Sequence, residues 1–357
     1  MTEISSFRIA LLPGDGIGPE VVGETVKVLD KVQACHDTLR LSYEVLSVGA
    51  GEYLTSGDPL PPATLERCRE FDAVLLGAMG LPGIRWPSGL EMTPQIDLRE
   101  KLDLFCGLRP IYLYHPEDSP LRGRRAGDID MLIVRENTEG LFSSRLAAGS
   151  QNDEQGQDRM LITRRGAERI IHAAFLEARR RRRHVTLVDK ANVLPSMAFF
   201  RRIFDQVAVG YPDVATSRIY VDAAALYMVR TPEMFDVLVT ENMFGDILSD
   251  LAAALVGGMG LAPSADIGQH HGVFQPSHGS APDIAGRGIA NPVATILSAA
   301  MMLEWFDTPV TRSAAQSIYI ATRQVLEDRA ARTPDMGGKL STSELGSLIV
   351  SAISAAR

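Results

Sequence analysis

Asp246 and Asp250 stand four residues apart in the stretch Glu241-Asn242-Met243-Phe244-Gly245-Asp246-Ile247-Leu248-Ser249-Asp250. In a helix that spacing puts both carboxylates on one face, one turn apart. Like charges so close are unfavourable unless a cation or an arginine lies between them. Met243, Phe244, Ile247, Leu248 and Leu251 surround the pair, so the spacing predicts a largely buried helix in which unpaired carboxylates are costly. Two oxygen donors suit Mg2+ or Mn2+. On spacing alone, pairing of each aspartate with an arginine is an equal alternative.

Arginines supply a second signal. Arg99, Arg109 and Arg135 stand in Asp-Leu-Arg, Gly-Leu-Arg-Pro and Ile-Val-Arg-Glu-Asn, beside apolar or strand-like stretches. Guanidinium groups at strand ends suit bidentate carboxylate binding. Singly each reads as a structural ion pair; beside a metal site they point to a polycarboxylate substrate. Lys190 closes the run Val185-Thr186-Leu187-Val188-Asp189, where burial can lower its pKa and make it a base. An ion pair with Asp189 is the competing reading.

The elements that must carry these residues alternate. Phe7–Leu12, Ala73–Leu76, Met131–Val134, Val185–Val188, Arg218–Val221 and Val237–Val239 are short apolar runs that predict buried strands. A helix is expected from about Glu20. Another carries Ala167, Ile170, Ile171, Ala174, Phe175 and Ala178 on one face. Asn291-Pro292 predicts an N-cap and a first helical proline, and Ser341-Thr342-Ser343-Glu344 has capping-box spacing. The result is an α/β chain with a mostly parallel sheet covered on both faces. Residues 145–158 lack any period and predict a surface excursion. The run Arg179–Arg183 reads as the cationic end of a helix rather than a nucleic-acid patch.

Composition sets the outer bounds. The chain has 357 residues, 45% of them hydrophobic and 22% charged, which at about 150 residues per domain suggests two lobes. With 36 Lys+Arg against 44 Asp+Glu the net charge is −8, which argues against nucleic acid or an anionic membrane as partner. Cys35, Cys68 and Cys106 are scattered and odd in number, which fits a reducing compartment. No signal-peptide pattern opens the chain, and Leu251–Ala265 is too short and too interrupted to span a bilayer. A cytoplasmic protein is expected.

Gly14, Gly16 and Gly18 nearly match a dinucleotide fingerprint, but Pro19 occupies the place of the third glycine. No acidic residue follows at the usual distance, so a Rossmann site is not expected.

Long blocks resemble one family across nearly the whole chain: the β-decarboxylating dehydrogenases of isopropylmalate, isocitrate and tartrate. They are Leu12-Pro13-Gly14-Asp15-Gly16-Ile17-Gly18-Pro19-Glu20, Arg135-Glu136-Asn137-Thr138-Glu139-Gly140, Asp189-Lys190-Ala191-Asn192-Val193, Asn242 through Asp250, and His278 through Gly286. Overall the chain is most similar to the 3-isopropylmalate and tartrate enzymes. The resemblance implies a two-lobed α/β fold with a mixed sheet flanked by helices, unlike a Rossmann fold. One lobe, residues 1–100 plus 255–357, would bind cofactor; the other, 101–254, would bind substrate and form a homodimer, with an arm near 140–163.

By the same resemblance, Arg99, Arg109 and Arg135 grip the substrate's carboxylates, and Thr93 and Gln95 read its third substituent. Asp246 and Asp250 hold Mg2+ or Mn2+, joined across the dimer by Asp222, while Lys190 from the partner takes the hydroxyl proton. His278, Gly279, Ser280, Ala281, Asp283, Asn291 and Asn192 meet the cofactor. Asp283 favours NAD, because a carboxylate accepts from the ribose 2′-hydroxyl and repels a 2′-phosphate.

Three positions depart from the family pattern. Phe142 replaces a tyrosine that protonates the enol, a loss worth about 10²–10⁴ in rate unless water or a neighbour such as Ser143 serves. Thr93 and Gln95 are polar where isopropylmalate enzymes are apolar, which keeps isocitrate, tartrate and D-malate open as substrates. Gln275 stands where glutamate is common. A catalytically impaired binding or regulatory homologue is the alternative from another class.

Overall fold

A computed structural model of the chain describes residues 4–145 and 154–354. Residues 146–153, inside the expected arm and surface excursion, lie outside the described residues. Ten strands form one sheet: β1 (Ser5–Gly14), β2 (Leu39–Val45), β3 (Ala73–Ala78), β4 (Cys106–Tyr112), β5 (Asp130–Glu136), β6 (His184–Asp189), β7 (Ala215–Tyr220), β8 (Val237–Thr240), β9 (Pro263–Ile267) and β10 (Gly272–Pro276). Their order is β2-β1-β3-β10-β9-β4-β5-β8-β6-β7. The outer strands pair in parallel; β10-β9, β9-β4 and β4-β5 pair antiparallel. The α/β class and the mixed sheet agree with the sequence reading. Val221, expected to end a strand, instead begins the helix Val221–Arg230.

The antiparallel centre positions the site. Gly107 of β4 faces Arg135 on one side and Asp266 on the other. Glycine is required there, since a Cβ would sit 2.7 Å from Asn137 Oδ1. Helices cover both sides of this sheet. Helix Arg164–Arg179 buries all six residues of its predicted apolar face and is capped by Thr163, whose hydroxyl accepts the Gly166 N–H at 3.0 Å. Burial of its larger apolar side chains contributes about 1.5–3 kcal/mol each. The basic run closing this helix is engaged: Arg179 pairs with Asp213, Arg180 with Glu177, Arg181 with Asp130 and Asp236, and Arg182 with Asp130.

The apolar interior divides along the sheet. Two clusters draw on segments between Ile9 and Leu104 and on segments between Leu261 and Ile353. Two others use the chain from Cys106 to Ala262. Among the described residues no helix is long and apolar enough to cross a membrane.

The near-fingerprint at Gly14–Gly18 is a packing turn. Asp15 accepts the backbone N–H groups of Ala50, Gly51 and Gly80, each at 2.8 Å. Gly16 (φ 58°) lies so close to the Ser280 carbonyl that a Cβ would meet its oxygen at 2.0 Å. This turn therefore presses against the loop after β10. At the C-terminal helix, Ser341 and Glu344 form the expected capping box. The helix after Asn291 starts one residue later than expected: Pro292 holds the N-cap position, and Asn291, just before it, accepts the Val293 N–H at 3.1 Å through Oδ1.

Candidate active site

A cavity of about 350 Å3 opens between the sheet centre and helix Asn242–Ala254. Its lining includes Gln95, Arg99, Arg109, Arg135, Phe142, Asp246, Asp250, Gln275, His278 and Gly279. The helix presents Asp246 and Asp250 as their spacing requires. Its start is fixed by Glu241, which accepts from the N–H groups of Met243 and Phe244, and Gly245 lets it approach Arg135 closely.

Arg99, Arg109 and Arg135 are all at least nine-tenths buried. Arg99 and Arg109 share the buried carboxylate of Asp266, at 2.8 and 2.9 Å. Burial alone would raise the Asp266 carboxyl pKa, but the two guanidinium groups outweigh it and hold the group well below the usual carboxylate range. Arg135 donates twice to Asn242 Oδ1, at 3.0 and 2.7 Å, and pairs with Asp246. Burial and the nearby charge of Arg99, against the pull of Asp246, bring its pKa down to about 10.

At the other wall, Asp246 is engaged by Arg135 while Asp250 is not. Burial and the charge of Asp246 raise the Asp250 carboxyl pKa. One half of the arginine-pairing alternative therefore holds, and Asp250 is left with a like-charged neighbour that a divalent ion would relieve. The expectation of a largely buried helix needs correction at Ile247, which is 58% exposed. Only one face of the helix packs inward.

Lys190 and Asp222 do not line this cavity. They pair with each other at 2.6 Å, and that hydrogen bond from Lys190 lowers the Asp222 pKa. The competing Lys190–Asp189 pair is absent: Asp189 is fully buried and held by Arg201 through two contacts of 2.7 Å. Among the described residues no three His, Cys, Asp or Glu side chains are grouped to hold a metal ion. Within one chain, Asp246 and Asp250 supply two carboxylates of the expected three.

Except for Asn192, which follows β6, the cofactor candidates lie on the loop after β10. His278 lines the cavity, and its Nε2 is buried without a partner, a group suited to a bound polar ligand. Burial lowers the His278 pKa. Ser280 donates to the Gly80 carbonyl, and Ala281 holds a left-handed backbone (φ 39°). Asp283 and Asn192 are exposed. Asn291 also donates to Asp335 at 3.2 Å, so its side chain is committed to the fold.

Gln95 lines the cavity and its Oε1 is buried without a partner; Thr93, which precedes the helix Pro94–Lys101, does not line it. Phe142 lies under the Arg135 guanidinium, 5.5 Å from ring centre to Cζ. Ser143, the neighbour considered as a proton donor, gives its hydroxyl hydrogen to the Gly140 carbonyl at 2.9 Å. Asp266, Asn137 and Asn242 were not singled out as candidates from the sequence. A charge inside the apolar run Pro263-Ser264-Ala265-Asp266-Ile267 was the available signal for the first of these.

Comparison with known proteins agrees with this architecture. Residues 8–349 match the isocitrate/isopropylmalate dehydrogenase family. A 3-isopropylmalate dehydrogenase of Moorella thermoacetica is 44% identical, over 96% of this chain and 98% of its own length. The corresponding enzyme of Methylococcus capsulatus is 42% identical over 98% and 99%. Among solved structures, an isocitrate dehydrogenase from Methylococcus capsulatus matches with TM-score 0.86 and 39% identity, over 97% of this chain and 99% of that one. A β-decarboxylating dehydrogenase from Thermococcus kodakarensis gives TM-score 0.80 and 38% identity over 97% and 96%.

Proposed function

The chain belongs to the isocitrate/isopropylmalate dehydrogenase family, an oxidoreductase family, and from that premise we propose that it is a cytoplasmic, NAD- and divalent-metal-dependent enzyme of the 3-isopropylmalate dehydrogenase type. It would oxidise and decarboxylate a 3-substituted malate. The observation that carries this reading is one cavity lined both by three buried arginines and by Asp246 and Asp250.

Arg99, Arg109 and Arg135 bind and orient the substrate's carboxylates, and their burial makes each charge-assisted bond stronger than it would be in water. Asp246 and Asp250 would hold Mg2+ or Mn2+, which supplies Lewis-acid polarisation of the hydroxyl oxygen and of the charge left by departing CO2. The loop His278–Asp283 would hold NAD, with the exposed Asp283 carboxylate free to accept from a ribose hydroxyl. Lys190 takes the hydroxyl proton, and Asp222 completes the ion's carboxylates, both from a second copy of the chain. Two observations support that sharing. Lys190 and Asp222 sit outside their own cavity, and Leu226, Tyr227, Val229 and Ile247 are exposed on the two packed helices that carry Asp222, Asp246 and Asp250. A homodimer would bury these apolar side chains.

A second reading concerns the substituent. Gln95 Oε1 is buried and unpartnered in the cavity, which disfavours a purely hydrocarbon group there. A hydroxyl could donate to it, as in tartrate, and the flipped amide could donate to a carboxylate, as in isocitrate. Phe142 supports a further variant in which the enol leaves unprotonated or turnover is impaired.

The test is a substrate panel. NADH formation and CO2 release are measured with 3-isopropylmalate, isocitrate, tartrate and D-malate, each with Mn2+ and with chelator, and with NAD against NADP. Turnover on 3-isopropylmalate that chelator abolishes is the expected result; chelator-insensitive turnover contradicts the metal assignment.

A further inference from the structure

Asp266 has no exposed surface, yet it sits in a strand at the centre of the sheet. Its Oδ1 accepts from Arg109 Nη2 at 2.9 Å and from Asn137 Nδ2 at 2.8 Å. Its Oδ2 accepts from Arg99 Nε at 2.8 Å and from Gln275 Nε2 at 2.5 Å. Two guanidinium groups and two amides thus occupy the carboxylate's four acceptor positions. The grip on Arg99 uses Nε alone; its terminal nitrogens make no hydrogen bond among the described residues, and Arg99 lines the cavity. The guanidinium is held from behind while its paired terminal N–H edge stays available for a carboxylate. Arg109 is fixed by the same carboxylate but through its terminal nitrogens, with Nη1 on the carbonyls of Leu108 and Ala265 and Nη2 on Asp266.

Gln275 belongs to this grip. In the antiparallel register of β9 and β10, Val273 faces Asp266 and Gln275 faces Ser264, so Gln275 and Asp266 are diagonal neighbours on one face. A carboxylate at position 275 would stand against another carboxylate in a buried site, where both cannot stay ionised cheaply. An amide donates instead, and leaves the single negative charge of Asp266 to be shared by the arginines.

We propose that Asp266 is the positioning residue that aims Arg99 and Arg109 into the cavity, with Gln275 as the neutral donor that keeps its carboxylate in place. This rests on the reading of those arginines as substrate-binding. Calorimetric binding of 3-isopropylmalate and of D-malate, with Mn2+ and without nucleotide, separates the two ideas. If the folded native protein binds neither acid, the functional reading fails. If it binds, Asp266→Asn is expected to weaken affinity about 10- to 100-fold, and Gln275→Glu about tenfold. The double variant Asp266→Asn/Gln275→Glu, which moves the charge to the neighbouring strand, is expected to bind at least about threefold better than the product of the single losses, since the two sites share one network.

A merely structural role predicts lower melting temperatures with unchanged affinity of the folded fraction. Unchanged affinity in both single variants, or strictly multiplicative losses in the double, overturns the proposal. Should Asp266→Asn fail to fold, Gln275→Glu decides alone: a tenfold loss at native melting temperature supports the assignment, and native affinity contradicts it.

Discussion

At the arginine wall of the cavity each guanidinium has a carboxylate partner within one chain, whereas Asp250 on the neighbouring helix has none among the described residues. Asp266 collects two guanidinium groups and two amides in full burial. Across the cavity, Asp250 keeps a raised pKa beside Asp246, and Lys190 and Asp222 are paired with each other elsewhere. The difference has a physical reason. An anion-binding wall made of permanent cations must be neutralised as the chain folds, because isolated buried charge is too costly to leave for a ligand to correct. Carboxylates that are partly exposed keep water as a partner and need no such neutralisation within the chain.

Changes at the aspartate wall are expected to strike turnover hardest. Lys190→Met should lower kcat by about 10²–10⁴ with KM little changed, as for loss of a general base; a change confined to KM would place Lys190 in substrate binding instead. At the arginine wall the response is one of stability. Burial raises the pKa of Glu136, next to Arg135 on β5, to about 7. Its folded-state pKa lies above the unfolded value of about 4.3, so its contribution is fully present below that value and is lost as pH rises through about 7. Glu136→Gln should remove on the order of 2 kcal/mol of this pH dependence between about pH 5 and 8, as read by denaturant unfolding. Parallel profiles for the two proteins would show that the neighbouring Thr138 and Glu139 contacts keep the group ionised.

Legibility in the sequence followed the same division. Periodicity and caps were enough for helix Arg164–Arg179 and for the Ser341–Glu344 box, because local patterns determine both. The i, i+4 spacing placed Asp246 and Asp250 on the cavity. β9 and β10 escaped, since their proline- and glycine-edged five-residue runs carry no period of their own and pair only through the sheet. Asp266 escaped with them: a carboxylate in an apolar run reads as its end until partners from β4, β10 and helix Pro94–Lys101 are seen around it. Asp189 misled in the opposite direction. Adjacent strand-end residues point to different sides, so Asp189 turns inward to Arg201 while Lys190 reaches Asp222. Ile247 looked like core because an apolar residue among other apolar residues of a helix does not by itself reveal which face packs inward.

Two smaller changes sharpen the contrast between the walls. Phe142→Tyr, which keeps the ring under Arg135 and adds a hydroxyl, should raise kcat about tenfold, short of the roughly 10²–10⁴ of a fully effective general acid; an unchanged rate would mean that water or another group already serves. Asp250→Asn relieves the repulsion with Asp246 in metal-free protein. Because the folded-state pKa of Asp250 is raised, the charged form costs stability once pH exceeds that value. The variant should therefore melt about 1–2 °C higher than the native protein at neutral pH, and Mn2+ should stabilise only the native protein. Equal Mn2+ stabilisation of both would remove Asp250 from the metal site.

Sharing of the aspartate wall between two chains is tested most directly by subunit hybrids. Lys190→Met and Asp246→Asn chains are each expected to be nearly inactive alone. Unfolded together and refolded, they should yield hybrids in which one of the two sites unites an intact Lys190 with an intact Asp246. Random pairing in a symmetric dimer then predicts about a quarter of the native NADH-forming rate per chain. A mixture no more active than its inactive parents would contradict the account.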